Sequence, residues 1–500
     1  MEHQDVIIVG AGISGISQAV HLQKNCPRKN FVILEARDAI GGTWDLFRYP
    51  GIRSDSDMHT LGFSFKPWTE AKAIADGPSI LKYVNATVDE FGLRPKIRLG
   101  HRVKKASWSS AESRWTVLIE KSDGTTEELS SGFITMCGGY YNYDEAHDAG
   151  LAGLDAFEGQ VVHPQFWPED LVFKDKRIVV IGSGATAMTL VPAMADQGAH
   201  VTMVQRSPTY VVSRSDQDAV ANFLRKFLPD NWAYAITRLK NTKLQNYFYK
   251  RTRIAPGLVK RKLLNELRKW FDDDYIEKHF TPSYNPWDQR MCLIPNADLY
   301  KAIKRGDVVV RTEHIDSCIN EGVRLQSSEV LPADIIVTAT GLQLIVLSGV
   351  EFFVDGVAVD VPNTFSYKGM MLSSVPNMVQ TFGYINASWT LRADLNSEYV
   401  CRLLNHMDAI GATQVTPTLR DEDSTMEARP WIDGFPAGYM LRSMHLFPRQ
   451  GEGPWRNTQD FEADKKIVRE SPITDTALKF TNPMKNSLTF DVEGDETKAA

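Results

Sequence analysis

The sequence is poor in cysteine, and its few cysteines form no pattern. It has five in 500 residues, an odd number, and none stands in a C-x-x-C pair or at the spacing of metal ligands. They are Cys26, Cys137, Cys292, Cys318 and Cys401. This excludes a disulfide scaffold and predicts no metal site, and it favours a reducing, cytosolic compartment.

Long apolar runs and a large excess of one charge are also lacking. No apolar run reaches the roughly 18 residues that a transmembrane helix needs, so we expect no membrane-spanning segment. The formal net charge is only −6, which indicates no nucleic-acid partner. A chain of 500 residues with 43% hydrophobic composition can bury a large core in two or three domains. A globular enzyme is the natural expectation.

The N-terminal segment is typical of a dinucleotide-binding fold. A nearly all-apolar run over residues 5–9 leads into Gly10, Gly12 and Gly15, spaced as G-x-G-x-x-G, and a helical pattern follows over about 13–24. Gly10 permits the tight turn, Gly12 lets backbone amides approach a pyrophosphate, and Gly15 lets the helix pack on the strand. A glycine turn without a ligand is the alternative for such a motif alone.

The next strand makes that alternative unattractive. An apolar run over residues 31–34 ends in Glu35, about 20 residues past the last glycine. An acidic side chain at this position can hold ribose hydroxyls. Strand, glycine turn, helix and acid together predict a bound dinucleotide.

The pattern recurs in the middle of the chain. An apolar run over 177–181 enters G-S-G-A-T-A over 182–187, and a strand over 200–204 follows a second helix. Here Arg206 replaces the acidic residue. An arginine can pair with a 2'-phosphate that a carboxylate would repel, so the second unit is expected to prefer NADPH to NADH; a solvent-facing Arg206 is the alternative.

These units predict an α/β protein with two Rossmann-like dinucleotide-binding domains and a helical insertion. The predicted divisions are residues 1–145 for the first part of the first domain, 146–375 for the second domain with an insert at about 208–285, and 376–500 for the return to the first domain. A buried strand over 334–341 ending in A-T-G begins that return. The last residues, from about 490 to 500, are polar and expected to fray.

The linker between the two units carries a fingerprint. Residues 157–168 read F-x-G-x-x-x-H-x-x-x-W-P, which resembles the type I Baeyer-Villiger monooxygenases. The related flavin-containing monooxygenases carry Tyr or Phe in place of Trp167, so Trp167 favours the Baeyer-Villiger branch. We interpret His163 and Trp167 as residues that couple the domains, not as acid or base.

Two further segments resemble the same family and imply its active-site residues. Residues 41–55 match a flavin-side motif whose terminal Asp55 lies beside the flavin in the family. Residues 285–290, N-P-W-D-Q-R, match the segment that brings the active-site arginine to the flavin, here Arg290. Gln289 stands where many members have lysine, so recognition of the NADPH phosphate is expected to depend more on Arg206.

Longer blocks at 44–57, 367–371 and 386–390 resemble the ethionamide-activating subgroup. The resemblance implies an FAD- and NADPH-dependent monooxygenase that inserts one oxygen of O2 into ketones to give esters or lactones. The implied oxidant is a C4a-peroxyflavin. Arg290 is implied to stabilise it, and Asp55 to orient Arg290. Thioether sulfoxidation is expected in the same site, so the partners are O2 and a lipophilic ketone or thioether.

Three other functions share part of these sequence features. The first is a flavin-containing monooxygenase acting mainly as an S- or N-oxygenase, against which Trp167 and Arg290 argue. An NADPH-disulfide reductase needs a cysteine couple that the sequence does not show. A nucleotide-binding redox sensor needs no arginine over the flavin.

Besides the catalytic candidates Arg290 and Asp55, the sequence predicts a set of cofactor-binding residues. They are Gly10, Gly12, Ser14, Gly15, Glu35, Gly42, Thr43, Trp44 and Asp55 for FAD, Gly182, Ser183, Gly184, Thr186, Ala187, Arg206, Ser207 and Gln289 for NADPH, and Thr340, Gly341 and Asn386 on the returning chain. Asn386 lies just before a predicted helix whose N-terminal amides can meet the flavin.

The insert is strongly basic. Between Arg206 and Lys269 cations greatly outnumber acids, and aromatic and aliphatic residues are interleaved with them. We interpret it as a solvated basic face over ordinary helices. A lid over the substrate, or a surface that rests on an anionic membrane and collects lipophilic substrates, are the alternatives.

Overall fold

The computed structural model describes residues 1–434 and 437–483. The polar tail expected at about 490–500 lies outside the described residues. The described chain is of the α/β class. It has two large sheets, and in each of them one strand leads through a glycine turn into a helix, so the predicted fold class is confirmed.

The first sheet has nine strands. In spatial order eight of them are Val357–Ala358, Glu351–Val354, His101–Ser109, Arg114–Lys121, Thr126–Met136, Glu2–Val9, Phe31–Leu34 and Ile97–Arg98. The ninth, Met378–Gln380, pairs with Thr126–Met136. Glu2–Val9 lies between parallel partners and is buried over its last four residues, as expected for the central strand of a dinucleotide-binding sheet.

The second sheet has five parallel strands. Their order is Val308–Thr312, His200–Gln205, Arg177–Ile181, Ile335–Thr338 and Gln160–Val162. Arg177–Ile181 and Ile335–Thr338 are apolar and almost entirely buried, which explains the uninterrupted hydrophobic runs in the sequence.

Smaller sheets flank the two large ones. Their pairs are Val211–Arg214 with Cys292–Pro295, Ser366–Tyr367 with Met371–Leu372, Gln414–Pro417 with Leu478–Thr481, and Arg429–Pro430 with Arg449–Gln450, together with the three strands Ile315–Ile319, Gly322–Leu325 and Val330–Pro332.

Helices cover both large sheets. The α-helices are Ile13–Asn25, Thr43–Leu46, Met58–Leu61, Gly77–Glu90, Ala185–Asp196, Ala219–Leu224, Asp230–Ile254, Pro256–Leu267, Asp273–Phe280, Asp298–Arg305, Trp389–Ile410, Gly438–Ser443 and Phe461–Arg469. In the part of the chain that is described, none of them has the length and apolar content that crossing a bilayer requires.

The chain pairs with the first sheet again soon after strand Ile335–Thr338. Strand Glu351–Val354 already pairs in parallel with His101–Ser109, and Phe352 packs in the core beneath that sheet. The boundary at 375/376 stays a prediction, and this strand lies on its N-terminal side. The pairing itself could not be seen in the sequence, because a four-residue strand has little pattern of its own and its partner lies far away in the sequence.

Candidate active site

The first glycine turn has the geometry needed to approach a nucleotide. Gly10 has a φ of +104°, which favours glycine, and the helix Ile13–Asn25 begins after Gly12. At Gly15 a Cβ atom would lie 1.9 Å from the carbonyl oxygen of Gly10, so no other residue fits there. The turn thus holds the helix N-terminus close to the strand end, with its amides free for an anion.

Glu35 closes the turn from the neighbouring strand. Its carboxylate accepts hydrogen bonds from the backbone N–H of Ala11 at 2.7 Å and of Arg37 at 3.0 Å. Burial raises the pKa of Glu35, which outweighs the opposite effect of these two donors. The side chain is thus held at the end of strand Phe31–Leu34, beside the turn.

A cavity of about 430 Å³ extends from this turn towards the second domain. It collects many of the residues that the sequence predicts as cofactor ligands. Those that line it are Gly10, Gly12, Ser14, Glu35, Gly42, Thr43, Trp44, Asp55, Thr186 and Arg290. Residues from the first domain and from the second therefore line one continuous space.

Further side chains line the same cavity although the sequence did not single them out. Tyr143 contacts Thr43 through a 3.3 Å hydrogen bond between hydroxyls, and burial raises the pKa of Tyr143 to about 12. Arg37 lies over the Tyr143 ring at 5.8 Å and pairs with Asp45 at 2.8 Å. The signals available were the position of Arg37, two residues after Glu35, and the glycine pair that follows strand Thr126–Met136.

The segment between the glycine pair at 41–42 and Asp55 docks on the second domain. A Cβ atom on Gly51 would lie 2.6 Å from the Cβ of Ala193 and 2.9 Å from the carbonyl oxygen of Thr189, both on helix Ala185–Asp196. Arg53 forms an ion pair with Asp298 at 2.6 Å. This close contact fixes Asp55 at the junction of the two domains.

Asp55 meets Arg290 at that junction. The guanidinium Nη2 of Arg290 lies 3.0 Å from Oδ2 of Asp55, and each side chain is about one-third exposed, at 35% and 32%. The Asp55 carboxylate raises the pKa of Arg290 above its already high value, so the guanidinium carries a permanent charge. The two residues predicted to be catalytic are thus in direct contact at the cavity.

Aromatic hydroxyls surround this ion pair. The hydroxyls of Tyr140 and Tyr141 lie 2.9 Å apart, and Tyr439 contacts the Arg290 guanidinium. Burial raises the pKa of all three tyrosines, so they stay protonated and can donate hydrogen bonds. The sequence patterns did not indicate the tyrosine pair.

The second glycine turn is open to solvent. Gly182 has a φ of +133°. Gly184 and the first residue of helix Ala185–Asp196 are exposed, and Ala187 lies on the buried side of that helix. The hydroxyl of Ser183 lies 3.2 Å from that of Thr209. The helix N-terminus therefore presents free amides, as an anion site requires.

Arg206 and Ser207 follow strand His200–Gln205 at the edge of this turn. Both are exposed, and Arg206 has no ion-pair partner within residues 1–434 and 437–483. The position is that of the acidic ribose ligand in the first unit, so a nucleotide phosphate can reach the guanidinium there.

The remaining predicted ligands lie on loops around the junction. Gln289 adjoins Arg290 and is partly buried, and Gly341, with a φ of +115°, follows Thr340 at the end of strand Ile335–Thr338. The Thr340 hydroxyl is buried without a hydrogen-bond partner in the described residues. Asn386 lines a smaller neighbouring cavity of about 150 Å³, and its side chain donates to the carbonyl of Gln459 at 3.0 Å.

The linker fingerprint contains the end strand of the second sheet, Gln160–Val162. His163 follows strand Gln160–Val162, and its Nδ1 accepts a hydrogen bond from the backbone N–H of Gln165 at 3.2 Å. Gln165 in turn donates to the carbonyl of Asn142, and Trp167 packs on the core of the second domain. These contacts join the linker to both domains.

Two glycine turns, each between a parallel strand and a helix, and a cavity that reaches from one to the other define a protein with two dinucleotide-binding domains. The chain belongs to the flavin-binding monooxygenase-like family, whose sequence model matches residues 3–416. The family predicted from the linker and flavin-side motifs is therefore confirmed.

The chain is similar to curated members along nearly its whole length. It is 52% identical to the FAD-containing monooxygenase EthA of Mycobacterium tuberculosis, over 96% of this chain and 98% of that protein. It is 46% identical to the probable FAD-binding monooxygenase AlmA of Acinetobacter baylyi, over 96% of each.

The fold matches solved structures of the same architecture. An open crystal structure of cyclohexanone monooxygenase superposes with a TM-score of 0.74 at 20% identity, covering 96% of this chain and 100% of that one. At this identity the match shows the shared fold and no more.

Proposed function

We propose that the protein is an FAD- and NADPH-dependent monooxygenase that inserts one oxygen atom of O2 into lipophilic ketones to form esters or lactones, and that sulfoxidises thioethers in the same site. The observation that carries this proposal is the Arg290–Asp55 ion pair. It places a permanently charged guanidinium from the second domain in the cavity that begins at the glycine turn of the first.

The first domain fits FAD. The turn at Gly10 and Gly12 leaves backbone amides free for the pyrophosphate, Glu35 is placed for ribose hydroxyls, and Thr43 and Tyr143 line the continuation of the cavity. Gly12 and Gly42 approach closely, since a Cβ atom on Gly42 would lie 3.2 Å from the Cα of Gly12. Side chains at these two positions would narrow the cavity here, so both are glycines.

The second domain fits NADPH. Gly184 and the following helix offer amides to the pyrophosphate, while Arg206 and Ser207 are exposed at the position that contacts the adenosine ribose. Arg206 would pair with the 2'-phosphate, and Gln289 would support the nucleotide from the junction. The unpartnered hydroxyl of Thr340 is a further donor for the cofactor.

Bound flavin, once reduced by NADPH, supplies the activated form of O2 that reacts with the substrate. The chain contributes charge and exclusion of water. Arg290 would hold negative charge on oxygen at the reacting centre and on the ketone oxygen as the carbonyl carbon becomes tetrahedral. Asp55 would fix the orientation of the guanidinium, and the protonated hydroxyls of Tyr140 and Tyr439 would add donors.

Thiol chemistry does not fit this cavity. Cys137 lines it, and burial raises the pKa of Cys137 to about 12, so its sulfur stays a weakly nucleophilic thiol. Burial also raises the pKa of Cys292, near Arg290, to about 12. A disulfide reductase needs a reactive cysteine couple at the flavin, and the described part of the chain places none there.

The proposal is tested by product identification with the purified flavin-loaded enzyme. An aryl ketone, a long-chain ketone and a bulky aryl thioether are each supplied with NADPH and 18O2. We expect one labelled oxygen in each ester and sulfoxide, with NADPH and O2 consumed one for one. Sulfoxide formation with no ester from either ketone would replace the proposal with an S-oxygenase, and no substrate-dependent O2 uptake would leave a nucleotide sensor.

A further inference from the structure

The longest insert helix, Asp230–Ile254, exposes its apolar residues. Five of them follow one another at spacings of four, three, eight and seven residues, so they share one side of the helix: Trp232, Ile236, Leu239, Tyr247 and Ile254. We call this set the outer stripe. Trp232 is 67% exposed and Ile254 74% exposed. Lys243 and Lys250 are the positions of the same stripe that carry charge.

The opposite side of the helix is polar and buried. Thr237 and Thr242 are buried, Arg238 forms an ion pair with Asp394 at 3.1 Å, and Asn241 donates to Asp57 at 2.9 Å. A surface helix of a globular protein normally buries its apolar side and exposes its polar side. Here Ala233 and Tyr234 are buried, but the five residues of the outer stripe are exposed, which indicates that the stripe meets an apolar phase.

Neighbouring elements extend the apolar surface. Phe223 and Phe227, whose rings lie 5.1 Å apart, are 60% and 72% exposed at the start of the insert. Leu244, on the long helix itself, and Leu258, on the next helix, add exposed aliphatic side chains. An apolar surface of this extent usually marks an interaction site.

The same region is strongly cationic. Residues 219–269 contain thirteen Lys and Arg and two acids, a net charge of +11 against −6 for the whole chain, so all other residues together carry −17. Some of these cations are paired. Those that are exposed and have no ion-pair partner in the described part of the chain are Lys226, Lys243, Lys250, Arg251, Arg261 and Lys262.

We propose that this surface, the outer stripe with its flanking cations, docks on an anionic lipid bilayer. Such a membrane binds helices that lie in the plane of its surface. These helices insert Trp, Tyr and aliphatic side chains among the lipids and place Lys and Arg near the anionic headgroups. A second copy of the chain fits less well, because a symmetric contact would bring the unpaired cations of both copies together. The inference does not depend on the reaction proposed above.

The docked helix would sit directly beside the active-site loop. The ring of Tyr249 packs edge-on against Trp287 at 5.8 Å, and Arg253 forms an ion pair with Asp288 at 2.8 Å, two residues before Arg290. Tyr249 and Trp287 also line the smaller cavity that contains Asn386. A lipophilic substrate dissolved in the bilayer would therefore arrive next to the cavity wall.

The test is flotation of the flavin-loaded enzyme with vesicles of equal parts phosphatidylglycerol and phosphatidylcholine, against vesicles of phosphatidylcholine alone. We expect flotation with the anionic vesicles that weakens as salt rises. The double substitution Lys243→Gln with Lys250→Gln should weaken partitioning by roughly 30-fold, since each basic residue near an anionic surface contributes about 1 kcal/mol. Trp232→Ser with Tyr247→Ser should weaken it at every salt concentration.

Matched controls distinguish binding through this surface from nonspecific electrostatic or hydrophobic binding to the vesicles. Lys301→Gln with Lys304→Gln removes two exposed cations from helix Asp298–Arg305, and Val357→Ser removes an exposed apolar side chain from the first sheet. Both controls should float like the wild type, and bound FAD absorbance verifies that every variant is folded. The proposal is overturned if the wild type does not float, or if Lys243→Gln with Lys250→Gln floats as well as the controls. It is also overturned if sedimentation without lipid shows a dimer that Trp232→Ser with Tyr247→Ser converts to a monomer.

Discussion

Asp55 and Arg290 come from different domains and meet at 3.0 Å in the cavity between them. Asp55 is fixed by the docking of Gly51 on helix Ala185–Asp196, while Arg290 stands on the loop after the insert. The ion pair therefore forms only when the two domains are packed as in this structure. Any change that separates them also removes the cation from the flavin side of the cavity.

Replacing Asp55 should impair oxygenation without preventing cofactor binding. In Asp55→Asn the Arg290 guanidinium keeps its charge but loses the anion that orients it, and misplacement of a catalytic group by about 1 Å can cost up to roughly 100-fold in rate. We expect ester formation to fall by a factor between about 10 and 100. Steady-state assays of product against NADPH consumption measure this as a rise in uncoupled peroxide.

The matched control for that variant is Asp298→Asn. Asp298 pairs with Arg53 on the same docking contact but away from Arg290. It should leave the ratio of ester to peroxide unchanged. Equal uncoupling in both variants would attribute the Asp55 effect to loosened domains and not to the orientation of Arg290.

Replacing Arg206 should change the choice of nicotinamide cofactor. In Arg206→Gln the 2'-phosphate of NADPH loses a charge-assisted hydrogen bond worth about 1.5–3 kcal/mol, whereas NADH has no such phosphate. The NADPH-to-NADH ratio of kcat/KM should fall by roughly 10- to 100-fold. Arg214→Gln, an exposed arginine on strand Val211–Arg214, is the control and should leave the ratio unchanged. An unchanged ratio in Arg206→Gln would place Arg206 in solvent.

His279 should make stability depend on pH in mildly acidic solution. Burial, with the nearby cations Lys278 and Arg311, lowers the pKa of His279 from 6.5 to about 4. Between these values the unfolded chain binds a proton that the folded chain does not, so its contribution to stability is full above pH 6.5 and is lost as the pH falls towards 4. The thermal midpoint of the wild type should thus fall more steeply over this range than that of His279→Gln. Parallel profiles would contradict this.

The sequence was informative where structure is local. The two glycine turns, their strands and their helices follow from apolar runs and spacing within about 35 residues, and the structure has all of them. Asp55 and Arg290 were found through family motifs. Spacing alone could not bring them together, because their contact depends on how the two domains pack.

The features that the sequence did not predict depend on contacts between residues far apart in the chain. The return at Glu351–Val354 requires pairing with His101–Ser109. The hydroxyl pair of Tyr140 and Tyr141 lies on a segment that pairs with residues 344–345, far away in the sequence. The insert shows the difference most clearly. Its basic and aromatic composition was visible, but only the packing of helix Asp230–Ile254 shows that the apolar residues face outward.

The most direct measurement separates flavin reduction from oxygen transfer in Arg290→Ala. Stopped-flow absorbance follows reduction by NADPH, and single-turnover product analysis follows ester formation from a ketone. We predict reduction within roughly threefold of the wild type, because hydride transfer does not use the guanidinium, and ester formation lower by a factor of about 100 to 1,000. Arg253→Ala, which removes the cation paired with Asp288 beside the same loop, should keep most of both activities. Ester formation at the wild-type rate in Arg290→Ala would contradict the account.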